Sequence, residues 1–522
     1  MKFPEIQNKI KKFIAEGDSS VAEHIALAKE LSSVEIELPE YVRKIKVAFL
    51  SNFTLLGLPE VFRVQAIPHN IAAETYLGEY NQYAQEILNP ESGLNKFKPK
   101  LIYFLIDPKD TDQKQIDQLV GAAKSNLGAK MELITDFSGF AEHWYTKYKD
   151  LGDMRLALDA FPAFAEKLMG QAIAVSGATK KCLVLDLDNT LWAGVVGEDG
   201  ADKVIPNKKL QEHILGLYKK GVILAINSKN NEADAMEVLE KHPEMILRKN
   251  HFAAWQINWR DKATNIRAIA DELSLGSDSF VFVDDDLFQQ SLVAESCPEV
   301  AVLHPDNLFD YPGFSTNKLT IEDMRRGEMY AEERTRRSLQ SSLKSVDDFL
   351  KELNLEVTIK NVRADSPTIP RISQMTQKTN QFNLTTNRWQ EEEVKAKLNN
   401  GWKMWTVEAV DRFGDYGTIG FLSVAPKNNS KWEIDNFLMS CRILGRGIEK
   451  AFLANLIENA RKSGVKELVG VFAPTRKNKT LCENFYGENN FRPLSETGGV
   501  FYHQYNFSNE YPYPELIKVN FA

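Results

Sequence analysis

Cysteine is scarce: Cys182, Cys297, Cys441 and Cys482 are the only four in 522 residues, and no two form a Cys-x-x-Cys pair. That spacing argues against a disulfide framework or a structural zinc site, and it fits a reducing cytoplasm. Long apolar runs are missing too. None approaches the roughly 18 residues of a membrane span, and the N-terminus MKFPEIQNKIKKFIAEGDSS is too polar for a signal peptide. A cytoplasmic chain without a membrane partner is expected. Basic charge is in deficit, with 64 Lys and Arg against 72 Asp and Glu and a net charge of −8. Binding to a phosphate backbone needs a basic face, so no nucleic-acid partner is expected. No internal repeat or low-complexity tract is present.

What is there reads as an ordinary globular composition, 43% hydrophobic and 26% charged, in a chain long enough for about two to four domains. Residues 1–44 read as helical. KIKVAFLSNF and KLIYFLID then open a small α/β region that extends to residue 175. From Lys180 to Pro305 the alternation sharpens: KKCLVLDLD, GVILAINS and DSFVFVDDD are apolar runs that end in polar residues, separated by the helical stretches NKKLQEHILGLYKK and KATNIRAIADEL. Continuous apolar runs between helices are the pattern of buried parallel strands. Residues 320–353 read as one charged helix or a helix pair, with Thr320 and Asp323 as a capping-box variant. From EVTIKNVR onward a third α/β region carries the strands KMWTVEAV, TIGFLSVAP, KWEIDNFLM and KELVGVFAP.

Ligands of open parallel sheets bind beyond the carboxyl ends of the strands, and acids gather there in this chain. Asp186 and Asp188, in DLDNT, follow the first central strand. Two carboxylates at that spacing can divide labour, Asp186 attacking phosphorus and Asp188 protonating the leaving oxygen and later activating water. The Asp186 carboxylate and the backbone carbonyl of Asp188 suit a hard cation. Ser228 ends the second strand and can hydrogen-bond a phosphoryl oxygen. Lys262 stands near a helix start, where anions are favoured. Asp284, Asp285 and Asp286 end the third strand, and adjacent carboxylates repel one another unless a cation sits among them.

The runs KKCLVLDLDNTLWAGVVGEDG, NSKNNEADA and FAAWQINWRDKATNIRAIADELSLGSDSFVFVDDD closely resemble the FkbH-like branch, subfamily IIIC, of the haloacid dehalogenase (HAD) superfamily. The resemblance implies a Rossmann-like core, Mg²⁺ and an aspartyl-phosphate. It implies Asp186 as nucleophile, Asp188 as acid/base, and Ser228 and Lys262, with Asn189 and Thr190 of motif one, at the phosphate. Metal ligation falls to Asp186, Asp188, Asp284 and Asp285, with Asp285 favoured over Asp284. Glu198 is family-typical without an assigned role. Two departures stand out. The family usually continues its fourth motif as DDNP with a Glu shortly after, where this chain has Asp286, Leu287 and Gln289; the extra acid either binds metal or is merely exposed. Members that load glyceryl groups onto acyl carrier protein often carry a cysteine between the motif-one aspartates, where this chain has Leu187. Cys182, on the preceding strand, is expected to be buried as a small apolar residue.

The flanks carry further resemblances. Arg442-x-x-Gly445-x-Gly447, opening a helix, resembles the acyl-CoA loop of GNAT acetyltransferases, whose glycines let the backbone approach a pyrophosphate. NKTLCENFYGENNFR resembles a later GNAT helix. QKTNQFNLTTNRW and DRFGDYGTIGF are also typical of the family; Asn380, Gln381, Asn383, Thr385 and Arg388 form a polar set that suits an anionic or hydroxylated ligand, or equally a polar surface. The N-terminal region takes the place of a degenerate SGNH-hydrolase-like domain. Ser51 follows a strand as a hydrolase serine would, and His69 and His143 are present, but no triad assembles.

The expected architecture is α/β throughout: a helical segment at 1–44, an SGNH-like domain at 45–175, a HAD phosphatase core at 176–312, a charged helical linker at 313–354 and a GNAT-like domain at 355–522. The expected activity is Mg²⁺-dependent hydrolysis or transfer of a phosphoryl group from a small phosphorylated metabolite. The resemblance places such chemistry in polyketide-like or polysaccharide biosynthesis. A glyceryl or acyl transferase with an acyl carrier protein as partner is the alternative, and a non-catalytic interaction protein the second.

Overall fold

Alternating β and α runs impose parallel pairing, because a strand followed by a crossover helix returns in the same direction. The computed structural model describes residues 2–15, 20–33, 36–110, 112–144, 149, 152–316, 324–379, 381–440, 443–508 and 510–522. It divides into two compact units, Met1–Gly327 and Glu328–Ala522.

The first unit holds two parallel sheets. In the N-terminal one, β1 (Arg43–Ser51), β2 (Ile71–Leu77), β3 (Leu101–Leu105) and β4 (Lys130–Ile134) lie in the order β2-β1-β3-β4. Successive side chains of a strand point to opposite faces, and both faces are covered. Val47 and Phe49 pack against the helices Leu58–Ala66 and Phe161–Ser176, while Ala48 and Leu50 pack under the helix Gln113–Leu127. The expected helical segment forms as Phe3–Ala15 and Val21–Ser33.

The second sheet is built on β5 (Cys182–Leu185). A short hairpin of β6 (Trp192–Ala193) and β7 (Ile205–Pro206) interrupts the crossover that follows it. Then come β8 (Ile223–Ser228), β9 (Phe252–Ile257), β10 (Phe280–Val283) and β11 (Ala301–Leu303), in the order β11-β10-β5-β8-β9. The chain leaves β5 to one side through β8 and β9 and returns to its other side with β10. That makes the carboxyl end of β5 the topological switch point, where open α/β sheets bind ligands. Asp186 is the first residue past it. FAAWQI forms the edge strand β9. The two sheets of this unit are fastened by the Arg43–Asp278 ion pair at 3.0 Å and by Asn70 donating to the Glu299 carbonyl at 2.9 Å.

Among the described residues the charged stretch forms the helices Arg326–Ser342 and Val346–Leu353, which lead into the second unit; Thr320 and Asp323 lie outside the described residues. Its sheet comprises β12 (Glu356–Asn361), β13 (Phe382–Asn383), β14 (Lys403–Asp411), β15 (Gly414–Asn428), β16 (Lys431–Met439), β17 (Glu467–Phe472), β18 (Phe491–Thr497), β19 (Val500–Tyr505) and β20 (Lys518–Phe521). The order is β18-β19-β17-β16-β15-β14-β12-β20, with β13 paired to β16. β14, β15 and β16 form an antiparallel meander, and β16 then pairs with β17 in parallel across the helix Ile448–Lys462. The fold is α/β with several sheets, as the alternation of runs implies.

Candidate active site

The last pairing of β5, Val283 opposite Leu185, continues one step further as Asp186 N–H donates to the Val283 carbonyl at 2.9 Å. This seats the Asp186 carboxylate between the ends of β8 and β10. Lys262, the first residue of the helix Lys262–Leu273, reaches into the same space. Its Nζ lies 2.9 Å from Asp186 Oδ1 and 2.5 Å from Asp284 Oδ2. The Ser228 side chain and the Leu187 N–H also lie where they favour a charged Asp186 carboxylate. Asp186, Asp284 and Asp285 each bring a carboxylate oxygen within 4.8 Å of the others. Ends of three neighbouring strands and one helix start therefore place Asp186, Ser228, Lys262, Asp284 and Asp285 in one cluster.

Its electrostatics call for a cation. Burial pushes the Asp186, Asp284 and Asp285 carboxyls above their ordinary range, and the charge of Asp186 adds to the effect on Asp284. Burial alone would lower Lys262, but the attraction of Asp186 and Asp284 outweighs it and holds the ammonium above its ordinary value. Ionised together, the three carboxylates would carry two negative charges beyond the Lys262 ammonium, which burial disfavours unless a cation joins them. Asp186 Oδ1 is moreover buried and lacks a well-directed hydrogen bond despite the nearby lysine. An oxygen-only donor set with that excess fits a hard divalent cation such as Mg²⁺.

Asp188 is held apart from this cluster. Its Oδ1 accepts from Trp192 Nε1 at 2.8 Å and from the Val196 N–H at 3.1 Å, and its Oδ2 accepts from Asn230 Nδ2 at 2.9 Å. Three N–H donors occupy the carboxylate, so the carboxylates that could hold a cation together are those of Asp186, Asp284 and Asp285. Thr190, expected at the phosphate, is fully buried and donates its hydroxyl to Asp285 Oδ1 at 3.2 Å. Asn189 adopts a left-handed conformation (φ 55°), and its Oδ1 accepts from Gly194 N–H at 3.1 Å. Both side chains shape the loop. Asp286 is neither a cluster member nor idle: its Oδ1 accepts from Phe288 N–H at 2.8 Å, capping the helix Leu287–Ser296. Asp as a helix cap is a local signal the sequence does carry.

Several neighbours that hold the cluster in place were not singled out by the sequence reading. Asn227 Nδ2 donates to the Lys262 carbonyl at 2.9 Å, and Asn265 Nδ2 donates to Asn227 Oδ1 at 3.1 Å, tying the lysine-bearing helix to the end of β8. Gln290 Nε2 donates to the Asp284 carbonyl at 2.7 Å. Asn230 follows Ser228 by two residues, and that adjacency was the only available hint. Glu198 is exposed. Cys182 and Leu187 are fully buried, and burial pushes the Cys182 thiol far up.

Elsewhere the expected sites are built differently. Gly445 and Gly447 have left-handed φ of 77° and 78°, and Arg442 lies outside the described residues. The described side chains around this loop are engaged within the second unit. Arg446 is committed to Glu333 Oε1 at 2.6 Å and to the Tyr416 hydroxyl. Glu449, in the first turn of the helix Ile448–Lys462, keeps a buried Oε2 without a partner, where a carboxylate opposes a bound anion. The edge of β16 that leads to this loop is already paired. Phe382 and Asn383 face Met439 and Leu438, Leu384 N–H donates to the Phe437 carbonyl at 3.0 Å, and Ala473 N–H donates to the Leu384 carbonyl at 2.8 Å.

The polar set of that segment works inward. Thr385 donates to the Asp435 carbonyl at 2.5 Å, and Arg388 donates to the Thr376 carbonyl at 2.7 Å. Asn383 is fully buried, Gln381 is exposed and Asn380 lies outside the described residues. In the N-terminal sheet, Ser51 is buried and its hydroxyl accepts from Phe53 N–H at 3.0 Å. His69 pairs with Glu166 at 3.0 Å and His143 with Asp159 at 3.4 Å. Among the described residues no histidine is bonded to Ser51.

No family model matches this chain, and no curated protein matches it. Among solved structures, the chain is similar to the N-terminal part of the protein BF1531 from Bacteroides fragilis, described as containing a phosphatase domain complexed with Mg. The identity is 24%, over 59% of this chain and 97% of that one, with a TM-score of 0.44. A GNAT family acetyltransferase from Elizabethkingia anophelis with acetyl-CoA bound is 16% identical over 29% of this chain and 98% of that one, TM-score 0.22. The PaiA N-acetyltransferase from Thermoplasma acidophilum in complex with coenzyme A is 16% identical over 29% and 99%, TM-score 0.23. Likeness at these values carries no function to this chain.

Proposed function

We propose that this chain is a Mg²⁺-dependent phosphoryl-transfer enzyme of the haloacid dehalogenase type, acting on a small phosphorylated metabolite through Asp186. The observation that carries the reading is the cluster at the switch point: three carboxylates within 4.8 Å of one another, Lys262 between two of them, and a buried Asp186 oxygen without a directed hydrogen bond. Asp186, Asp284 and Asp285 would hold the cation, which supplies charge neutralisation and polarisation of phosphoryl oxygens. Asp186 forms a bond to phosphorus while the bond from phosphorus to the leaving oxygen breaks, and Asp188 gives that oxygen its proton. Asp188 then takes a proton from water as the water oxygen attacks phosphorus. Inorganic phosphate leaves and Asp186 is restored. Ser228 and Lys262 offer an O–H and an ammonium to the phosphoryl oxygens.

The experiment is a screen of phosphorylated metabolites for phosphate release with Mg²⁺, repeated with Asp186→Asn. Turnover by wild type and a loss on the order of 10⁴-fold or more in the variant are expected. A folded Asp186→Asn protein that still hydrolyses the substrate, or turnover that persists in chelator, would refute the assignment.

A further inference from the structure

Large apolar side chains are exposed at only four places among the described residues between 176 and 316: Ile205 at 67%, Trp259 at 76%, and Leu287 and Phe288 at 69% each. All four lie on one end of the sheet. Ile205 belongs to the connection between the carboxyl end of β5 and the helix Lys208–Lys219, Trp259 follows the end of β9, and Leu287 and Phe288 follow the end of β10. Leu287 and Phe288 open the helix Leu287–Ser296, so they too stand at the carboxyl end of the sheet, and none of the four lies at the opposite end.

The strand order sets their spacing. β9 and β10 are separated by β8 and β5, three inter-strand steps of about 4.8 Å, or about 14 Å. The two strands between them end in Ser228 and Asp186. Trp259 stands three residues before Lys262. Leu287 follows Asp286, whose N–H donates to Asp284 Oδ1 at 2.9 Å. The charged floor is thus flanked in strand order by apolar residues that the described residues leave exposed.

We infer that the site takes amphipathic phosphate monoesters, with the phosphate on the charged floor and an apolar body against Trp259, Leu287 and Phe288. The inference rests on the phosphoryl-transfer reading above. The body of the substrate is the occupant because the loops that carry the floor also carry the collar: Trp259 stands three residues before Lys262, and Leu287 three residues after Asp284. A small, wholly hydrophilic ester leaves the collar in water and gains nothing from it.

The test is a series of n-alkyl phosphates from ethyl to octyl, below micelle-forming concentration, assayed by phosphate release with Mg²⁺. Release from any member bears on the phosphoryl-transfer reading; the dependence on chain length bears on this inference. Wild type is expected to gain about two- to fourfold in kcat/KM per added methylene, the upper value corresponding to about 0.8 kcal/mol per buried CH₂. Trp259→Ser and Phe288→Ser are expected to flatten the octyl-to-ethyl ratio. Calorimetry of Asp186→Asn with the same two esters reads the collar without turnover, and tighter binding of octyl phosphate is expected. A flat series in wild type, a ratio unchanged by both substitutions, or equal binding of the two esters overturns the inference. So does an equal binding of both esters accompanied by self-association that the same substitutions abolish, which assigns the collar to a protein interface.

Discussion

The side-chain amide of Asn230 holds Asp188 Oδ2 at 2.9 Å. Asn230 comes from the loop after β8 and Asp188 from the loop after β5, so the bond sets one crossover against the other. With Trp192 on the opposite oxygen, it leaves the carboxylate one orientation. A hydrogen bond to a charged group is worth about 1.5–3 kcal/mol. Asn230→Ala is therefore expected to lower kcat by about 10- to 100-fold with little change in KM, since one unit of log rate is about 1.4 kcal/mol. Asn230→Ser should recover part of the loss. Steady-state kinetics decide this, and a fall in KM-dependent binding alone would count against a positioning role.

Thr190 plays the corresponding part for Asp285, donating at 3.2 Å. Partners that orient a metal ligand typically contribute 10- to 100-fold in affinity, so Thr190→Val should raise the Mg²⁺ concentration for half-maximal activity by about 10-fold or more. Activity at saturating Mg²⁺ should recover most of its wild-type value. A Mg²⁺ titration of initial rates checks both statements.

The thiols near and beyond the site are expected to be inert. Burial pushes Cys482 up to about 11 and Cys182 further still, so their thiolate forms, the reactive ones, are suppressed at neutral pH. Cys297 is raised by burial as well. Iodoacetamide on the native protein at pH 7.5 should leave the peptides of these three cysteines unmodified, as read by peptide mapping. Incubation with an activated glyceryl phosphate donor should leave no glyceryl mass on Cys182. An adduct there would bring the thioester route forward.

In the second unit, Arg336 donates to Asp411 twice, from Nε at 2.8 Å and from Nη2 at 2.9 Å, and Tyr416 donates to the same carboxylate at 2.6 Å. Burial would raise the Asp411 carboxyl, but these donors outweigh it and hold it below the ordinary range. A depressed folded-state value gives stability that is present above the unfolded value of about 3.9 and is lost as pH falls through the folded one. Removing one member of a buried ion pair costs about 3–5 kcal/mol. Asp411→Ala should destabilise the unit by that order at pH 7 and lose the acid-dependent component. Urea denaturation at pH 3 to 7 provides the comparison.

Much of the catalytic end was legible in the amino-acid order because its determinants are local. DLDNT, AINS, RDK and VDDD each end an apolar run or begin a helical one, and parallel pairing brings strand ends together whatever the helices between them look like. The burial of Cys182 followed from its place in such a run. The bonding partners of the motif residues escaped: Trp192 stands four residues on from Asp188, but Asn230, 42 positions away, reaches it only because two crossovers meet above the sheet.

The sequence by itself determined which residues end the strands, and hence that Asp186, Ser228, Lys262, Asp284 and Asp285 share one end of one sheet. Hydrophobic periodicity and strand direction require nothing distant. Tertiary structure alone decided what each polar group spends its hydrogen bonds on. Thr190 turns to Asp285. The segment Phe382–Asn383 closes the edge of β16 beside the glycine loop, and Arg446 is claimed by Glu333. Those pairings join residues up to 113 positions apart. They depend on the packing of whole elements, because a buried donor or acceptor must find a partner among whatever the fold brings near it.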